Sequence, residues 1–510
     1  MNRKIYHMHL FLGLSLGLET IYIIFASFEN LKAHIPIYLI CYGTAFLMYW
    51  VAASLFFDFR NKRQIIGNNE TNENSKRGIR WLPYFINKQK QRESLTTKEV
   101  LTVGIIFGVI FRLTLVLSPP SLSDDLYRYI WDGRVASSGI NPYQYPPNSE
   151  ALKTLRDSEI YPKINHKEIS TIYPPVNQLT FEGIYKLNPS VLAFKAAFLG
   201  FDLFTICLLY LILKSLSINL NRLLIYVWNP LVIVELAGSG HVDTEGIFLM
   251  TLALWLFIER RTALATFSLA LSFLTKFLAA ILLPFMILFK KENMLMMVLV
   301  FVLFSAASYL PYADAGERLF TGLFVYSSKW RFNDSIFAIT FSAVKSVLRE
   351  NWVINLMIEP QGLTIEPATI ASRRIDLALH ISKFIAGVAF FGMCIYYVKR
   401  FTKDLLTEGT VWIFKIGLIL LGTFFLLSPT VHPWYLCWLL PFLVIAPNRA
   451  WILLTGLVGL SYWTSIDYAK LGIEHESVWV KCVEYLPFYS LLVYDCVAHK
   501  FTQKRRGQQE

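Results

Sequence analysis

The chain has 510 residues, 55% of them hydrophobic, 15% aromatic and only 16% charged. Its mean hydropathy of +0.45 excludes a water-soluble domain of this length and puts the chain in lipid. The net charge of +12 does not point to nucleic acid, because most Lys and Arg residues sit in short connections between apolar spans, where they act as topology signals.

The expected fold is all-α, a polytopic transmembrane helix bundle spanning 1–510 as a single integral membrane domain. The apolar runs 35–57, 189–213 and 375–398 each supply the roughly 20 residues that cross a ~30 Å hydrocarbon core. They lack the alternation of transmembrane strands, which excludes a barrel. Six cysteines lie scattered with no CxxC spacing, so neither a disulfide framework nor a cysteine metal site is expected.

In chain order, Arg3 and Lys4 hold the N-terminus in the cytoplasm, and helices near 7–28 and 35–57 return the chain there. Residues 58–98 then form a basic cytoplasmic loop, and a third helix near 100–117 leads outward. The segment 118–189, polar and rich in Tyr and Pro, is expected to be the extracytoplasmic catalytic loop. Beyond it, the basic turns and the 500–510 tail all fall inside if 262–289 is two short helices meeting at Lys276 on the outer side, a threading that gives about 13–14 helices. The same threading sends 238–245, 312–374, 428–434 and 467–477 outward, where their polar residues can converge.

The run from Ser123 to Gly139, beginning Ser-Asp-Asp-Leu-Tyr-Arg-Tyr, reads as a helix with Ser123 at the N-cap and Gly139 as its stop. Asp124, Asp125, Arg128 and Asp132 share one arc, and Leu126, Tyr127, Ile130 and Trp131 the other, so the helix is expected to lie flat in the membrane interface. Structurally, the acids could simply favour the helix dipole and Asp124 could pair with Arg128. Placed directly after a span, paired acids also suit inverting sugar transfer from a polyprenyl phosphate: one carboxylate takes the acceptor hydroxyl's proton, and the phosphate leaves without a general acid. Cations must then hold the departing charge, and Arg128, Arg134, Lys276 and His241 are the candidates. Lys276, set among Leu, Phe and Ala, is the most costly to explain structurally.

The string Ser-Asp-Asp-Leu-Tyr-Arg-Tyr, Trp-Asp-Gly-Arg and Gly-Ile-Asn-Pro-Tyr over 123–143 resembles the membrane mannosyltransferases of the GT-C superfamily. So do Ile172 to Pro175, Phe201-Asp202-Leu203, Trp228-Asn229-Pro230, Gly240 to Asp243, Lys276 and His432 to Tyr435. The likeness runs from 118 to about 446. It is greater to bacterial polyprenol-phosphate-mannose-dependent enzymes, and more distant to the enzyme adding the first mannose of glycosylphosphatidylinositol anchors. The resemblance implies a polyprenyl-phosphate-linked sugar donor, most simply mannose, a glycan or glycolipid acceptor, a catalytic acid in the first large outer loop and a bacterial inner-membrane location. The anchor enzymes carry Asp-x-Asp-Tyr, whereas here the acids are adjacent and Leu126 precedes Tyr127. Asp124 keeps the spacing to Tyr127 and is the preferred base, with Asp125 the alternative.

Tyr127, Asn141, Tyr143, Tyr173, Asp243, His432 and Trp434 are the sugar- or acceptor-binding candidates; the Pro-Tyr elements among them could equally be rigid turns. His241 with Asp243 and Glu245 could ligate a divalent cation, but a capping role for Asp243 serves as well, and no metal or other cofactor is called for. Glu19 and Arg112 read as snorkelling residues near span ends. The competing reading is a flippase or transporter of a lipid-linked solute; it would need ionisable residues at mid-membrane on broken helices, whereas the acids here collect in outer loops.

Overall fold

A computed structural model describes residues 3–57, 97–349, 352, 367–466 and 476–506. Most of the basic 58–98 segment and the last residues of the 500–510 tail lie outside the described residues. Among the described residues the regular structure is helical, with a single isolated bridge between Phe332 and Thr430. Free of alternation, the apolar runs satisfy their own backbone groups within each helix, as lipid demands.

The first helices are α1 (Arg3–Ala26), α2 (Ile35–Phe56) and α3 (Thr97–Val116), close to the bounds read from hydropathy. Among the described residues five helices are long and apolar enough to cross a membrane, and two bent pairs, Leu220–Val227 with Pro230–Gly238 and Lys291–Ala307 with Leu310–Lys329, raise that to seven if each pair is one span. The remaining apolar helices, such as Thr262–Lys276 and Val411–Leu427, have only 10–17 residues. Many of the helices are thus too short to cross a membrane alone, as the two short helices expected over 262–289 are. Prolines at 230, 284, 433 and 441 and tight helical turns divide apolar runs into pieces shorter than a full crossing.

Within 118–189 the chain folds into α4 (Asp125–Ser137), two short tight turns and α5 (Pro175–Leu187), which leads into α6 (Val191–Ser215). Gly139 at φ 74 ends the first of these helices as expected. Its apolar arc, however, is not left for lipid: Leu126, Tyr129 and Ile130 pack with Phe181, Phe194 and Phe198, while Trp131 and Val135 pack with Leu152 and Ile164. The polar arc is buried too, at Arg128 and Asp132. This helix is thus a structural wall and not a raft in the interface, because the loop behind it supplies enough apolar side chains to cover it.

Buried charge needs a partner in such a core. Arg112 is fully buried, donates from Nη1 to the carbonyls of Gly108 (2.9 Å) and Val227 (2.6 Å), and pairs with Asp202, which also accepts from the Tyr226 hydroxyl at 2.6 Å. The snorkelling reading of Arg112 is therefore overturned: the arginine clamps α3 to α6 from within. Glu19 accepts a hydrogen bond from Thr114 at 2.5 Å. Trp228 and Asn229 are likewise structural, the indole donating to Gly104 O at 2.7 Å and the amide to Thr455 Oγ1 at 3.0 Å.

Candidate functional site

Four segments distant in sequence meet around one cavity of about 1890 Å³. The first is the start of α4. The second is a π-helical turn, Ile233–Gly238, which runs into the 239–242 link; such turns insert an extra residue and re-aim side chains. Gly240 makes the link tight, since its φ of +72 suits glycine and a Cβ there would lie 3.1 Å from Leu126 Cδ1 and 3.0 Å from Lys195 Cγ.

The intervening short helices are α7 (Leu224–Val227) and α8 (Pro230–Val232), and the link feeds α9 (Asp243–Ile258). The third segment is the end of α10 (Thr262–Lys276), where Phe277 at φ 57 breaks the run before Leu278–Leu282 and Leu283–Phe289. The break at Lys276 read from the sequence is present. A left-handed Phe costs about 1–2 kcal/mol, and Asn177 helps hold the turn by donating to Thr275 O at 2.8 Å. The fourth segment is 428–435.

At the cavity's rim Asp124, 43% exposed, pairs with Lys32 Nζ at 2.7 Å. Asp125 points inward. Its Oδ1 accepts from Asn165 Nδ2 at 2.9 Å, and its Oδ2 stands 3.7 Å from His241 Nδ1. Burial pushes the Asp125 carboxyl above the ordinary carboxylate range, against the opposing effects of the Asn165 hydrogen bond and the Lys276 charge. Lys276 Nζ donates to Asp243 Oδ1 at 2.5 Å and lies 3.7 Å above the Tyr435 ring; Trp438 Nε1 donates to the same Asp243 oxygen at 2.7 Å. Tyr435 and Tyr326 share a hydroxyl contact of 2.7 Å.

An aromatic column closes one side. Phe332 stacks on His432 (4.7 Å), His432 on Trp434 (4.5 Å) and Trp434 on His241 (3.9 Å). Burial, aided by the nearby Lys276 charge, pushes the His432 imidazole down to about 3 and His241 well below its ordinary value. Leu278, Ile339, Phe390 and Phe424 are among the apolar residues that also line the cavity.

Of the thirteen site residues expected, Asp124, Asp125, Arg128, Tyr173, Asp243, Lys276, His432 and Trp434 line the cavity, and His241 abuts it through Trp434 and Asp125. Arg128 is engaged within the wall, donating to Asp132 at 2.9 Å and to Ile169 O at 3.0 Å; the helical pair is Arg128–Asp132, not Asp124–Arg128. The structure places Arg134 elsewhere, against Asp157, Tyr185 and the Leu155 carbonyl. Asn141 holds Tyr312 O and Asp314, and Tyr143 donates to Tyr173 O at 2.7 Å, so this pair shapes the loop. Tyr127 packs under Lys163. Glu245, the third member of the conceivable cation set, instead accepts from Thr180 at 2.6 Å. Among the described residues no three His, Cys, Asp or Glu side chains converge as metal ligands.

Comparison with known families now bears on this arrangement. Residues 81–291 match the family alpha-(1->6)-mannopyranosyltransferase, N-terminal domain. The matched stretch includes α4, the 239–242 link and Lys276, while other parts of the cavity lining, such as 323–342 and 424–435, lie beyond it. The likeness to mannosyltransferases that the motifs carry is thus met by an independent match over part of the chain. No curated protein and no solved structure matches the chain.

Sequence reasoning missed Lys32, Asn165, Glu235, Tyr326, Tyr435, Trp438 and Tyr462. Glu235 carried a usable signal, an acid in an apolar run, which is a functional hypothesis by default in a membrane protein.

Proposed function

We propose that the chain is an inverting GT-C glycosyltransferase that moves mannose from a polyprenyl-phosphate donor to a hydroxyl of a glycan or glycolipid acceptor, on the extracytoplasmic side of a bacterial cell membrane. The observation that carries this reading is the composition of the cavity: a partly exposed carboxylate, Asp125, and a partly exposed lysine, Lys276, line it together with apolar side chains that suit a polyprenyl chain.

In this reading Asp125 is the base. Asp124 is neutralised by Lys32 at the rim, whereas Asp125 is held by one neutral amide and faces inward, and its raised proton affinity suits proton abstraction. The acceptor oxygen attacks the anomeric carbon as its proton passes to Asp125, and the electron pair of the C1–O bond leaves on the phosphate. Lys276 meets that charge; its Asp243 and Tyr435 contacts hold the ammonium in place before the donor arrives. Stacked Trp434 and His432 offer a flat aromatic edge to a sugar ring.

The test supplies purified protein and a membrane lipid extract with radiolabelled mannose on polyprenyl phosphate or on a sugar nucleotide. Label should move to the acceptor from the lipid donor alone. Equal transfer from the nucleotide, or no movement from the lipid donor, would overturn the donor assignment.

A further inference from the structure

His241 is enclosed in an unusual way. It is 1% exposed, and neither ring nitrogen has a hydrogen-bond partner. Each nitrogen nonetheless faces an acid: Nδ1 lies 3.7 Å from Asp125 Oδ2, and Nε2 lies 3.4 Å from Glu235 Oε2. Glu235 is itself fully buried and accepts from the Tyr462 hydroxyl at 3.0 and 3.1 Å. Tyr462 borders the same cavity at a point other than Asp125. Trp434 stacks on the imidazole and fixes its plane between the two acids.

A structural histidine would satisfy its ring nitrogens with a close carbonyl or hydroxyl. This one bridges two carboxyl groups at distances just beyond a hydrogen bond, which a shift of under roughly 1 Å would close. The other titratable groups acting on the ring are Lys276 and, beyond Trp434, His432. Lys276 is held by Asp243, so Asp125 and Glu235 are the groups that His241 can exchange protons with.

We propose that Asp125, His241, Glu235 and Tyr462 form a proton relay that discharges the catalytic carboxylate after each transfer. The inference rests on Asp125 being the base. Once the acceptor proton sits on Asp125 Oδ2, the lipid product still fills the cavity and shields the acid from water. Turning that O–H toward His241 passes the proton to Nδ1, while Nε2 gives its own proton to the Glu235 carboxylate; the imidazole ends neutral with its tautomer exchanged. Glu235 then donates to the Tyr462 oxygen as the Tyr462 hydroxyl proton leaves to water at the cavity edge. The net result is one proton exported: Asp125 returns to its carboxylate and Glu235 ends in the state in which it began. A return flip of the imidazole readies it for the next cycle.

The test separates the first turnover from the steady state, with purified enzyme preloaded with labelled polyprenyl-phosphate-mannose and acceptor. In H241Q, E235Q and Y462F the steady-state rate should fall at least tenfold more than the first turnover, because the base can be loaded but not discharged. Added imidazole should restore the steady state in H241A. A structural role predicts equal losses in both phases and no rescue; that pattern, or unchanged steady-state rates in E235Q and Y462F, overturns the relay. D125N keeps the two claims apart: retention of its first turnover sinks the base assignment, whereas its loss beside an unaffected E235Q sinks the relay alone.

Discussion

Replacing Lys276 by Met keeps the apolar stem and removes the charge, and two separate costs follow. Asp243 is 1% exposed at its side chain and loses a donor at 2.5 Å, keeping the Trp438 indole; breaking a buried pair from one side costs about 3–5 kcal/mol. If the ammonium also holds the donor phosphate, a charge-assisted hydrogen bond of about 1.5–3 kcal/mol goes with it, or roughly ten- to a hundredfold in donor use. The double variant K276M/D243N removes the orphaned acid and isolates the second cost. We expect thermal stability in detergent to drop in K276M and to recover in the double variant, while donor KM, measured by label transfer, stays raised at least tenfold in both. Recovery of donor KM along with stability would refute the phosphate role and leave Lys276 as a counter-ion of Asp243.

Three further expectations rest on the geometry. Asn165→Leu removes the one neutral donor holding Asp125, so burial acts unopposed by that bond and the acid limb of the rate–pH profile should move to higher pH; a limb that stays or moves down would contradict Asp125 as the titrating base. Arg134→Met should leave donor KM unchanged and loosen the loop. Although burial pushes Asp157 up, its bonds from the Tyr161 and Ile160 backbone N–H groups and from Arg134 hold it at about 2, so its stabilisation is full above the ordinary carboxylate range and fades as pH falls toward 2. Proteolysis of the 150–170 region at falling pH should show a smaller pH response in R134M than in the native chain. Arg112→Met strands Asp202 in the core and should cost about 3–5 kcal/mol, largely regained in R112M/D202N; a stable R112M in detergent melts would contradict the buried clamp.

What the sequence made legible follows its range. Hydropathy located the first three helices within a few residues, and the lysine in an apolar run marked the break at 276 because an unpaired charge there has no cheap structural reason. The glycine stop of α4 fell where expected, whereas its N-cap is Asp124 and not Ser123. Its amphipathic arcs were misread as facing lipid, since periodicity reports which side is apolar but not whether protein or lipid covers it. The partners of the site were beyond reach for a related reason. Trp438 meets Asp243 across 195 residues and Tyr462 meets Glu235 across 227, and no local pattern encodes such pairings. Asp124 kept the family spacing to Tyr127, yet its pairing with Lys32, itself 92 residues away, is what leaves Asp125 as the inward acid.

The central claim is that Asp125, and not Asp124, removes the acceptor proton. It is tested most directly by comparing single-turnover mannosyl transfer in D124N and D125N at matched folding and donor occupancy. Asn keeps the size and the hydrogen bonding of each side chain and abolishes proton acceptance, so D125N should lose about 10²–10⁴ in rate, while D124N, losing a rim ion pair worth about 0–1 kcal/mol, should fall by less than about tenfold. A D125N enzyme within a few fold of the native rate, or a D124N enzyme that is the more impaired of the two, would contradict the account.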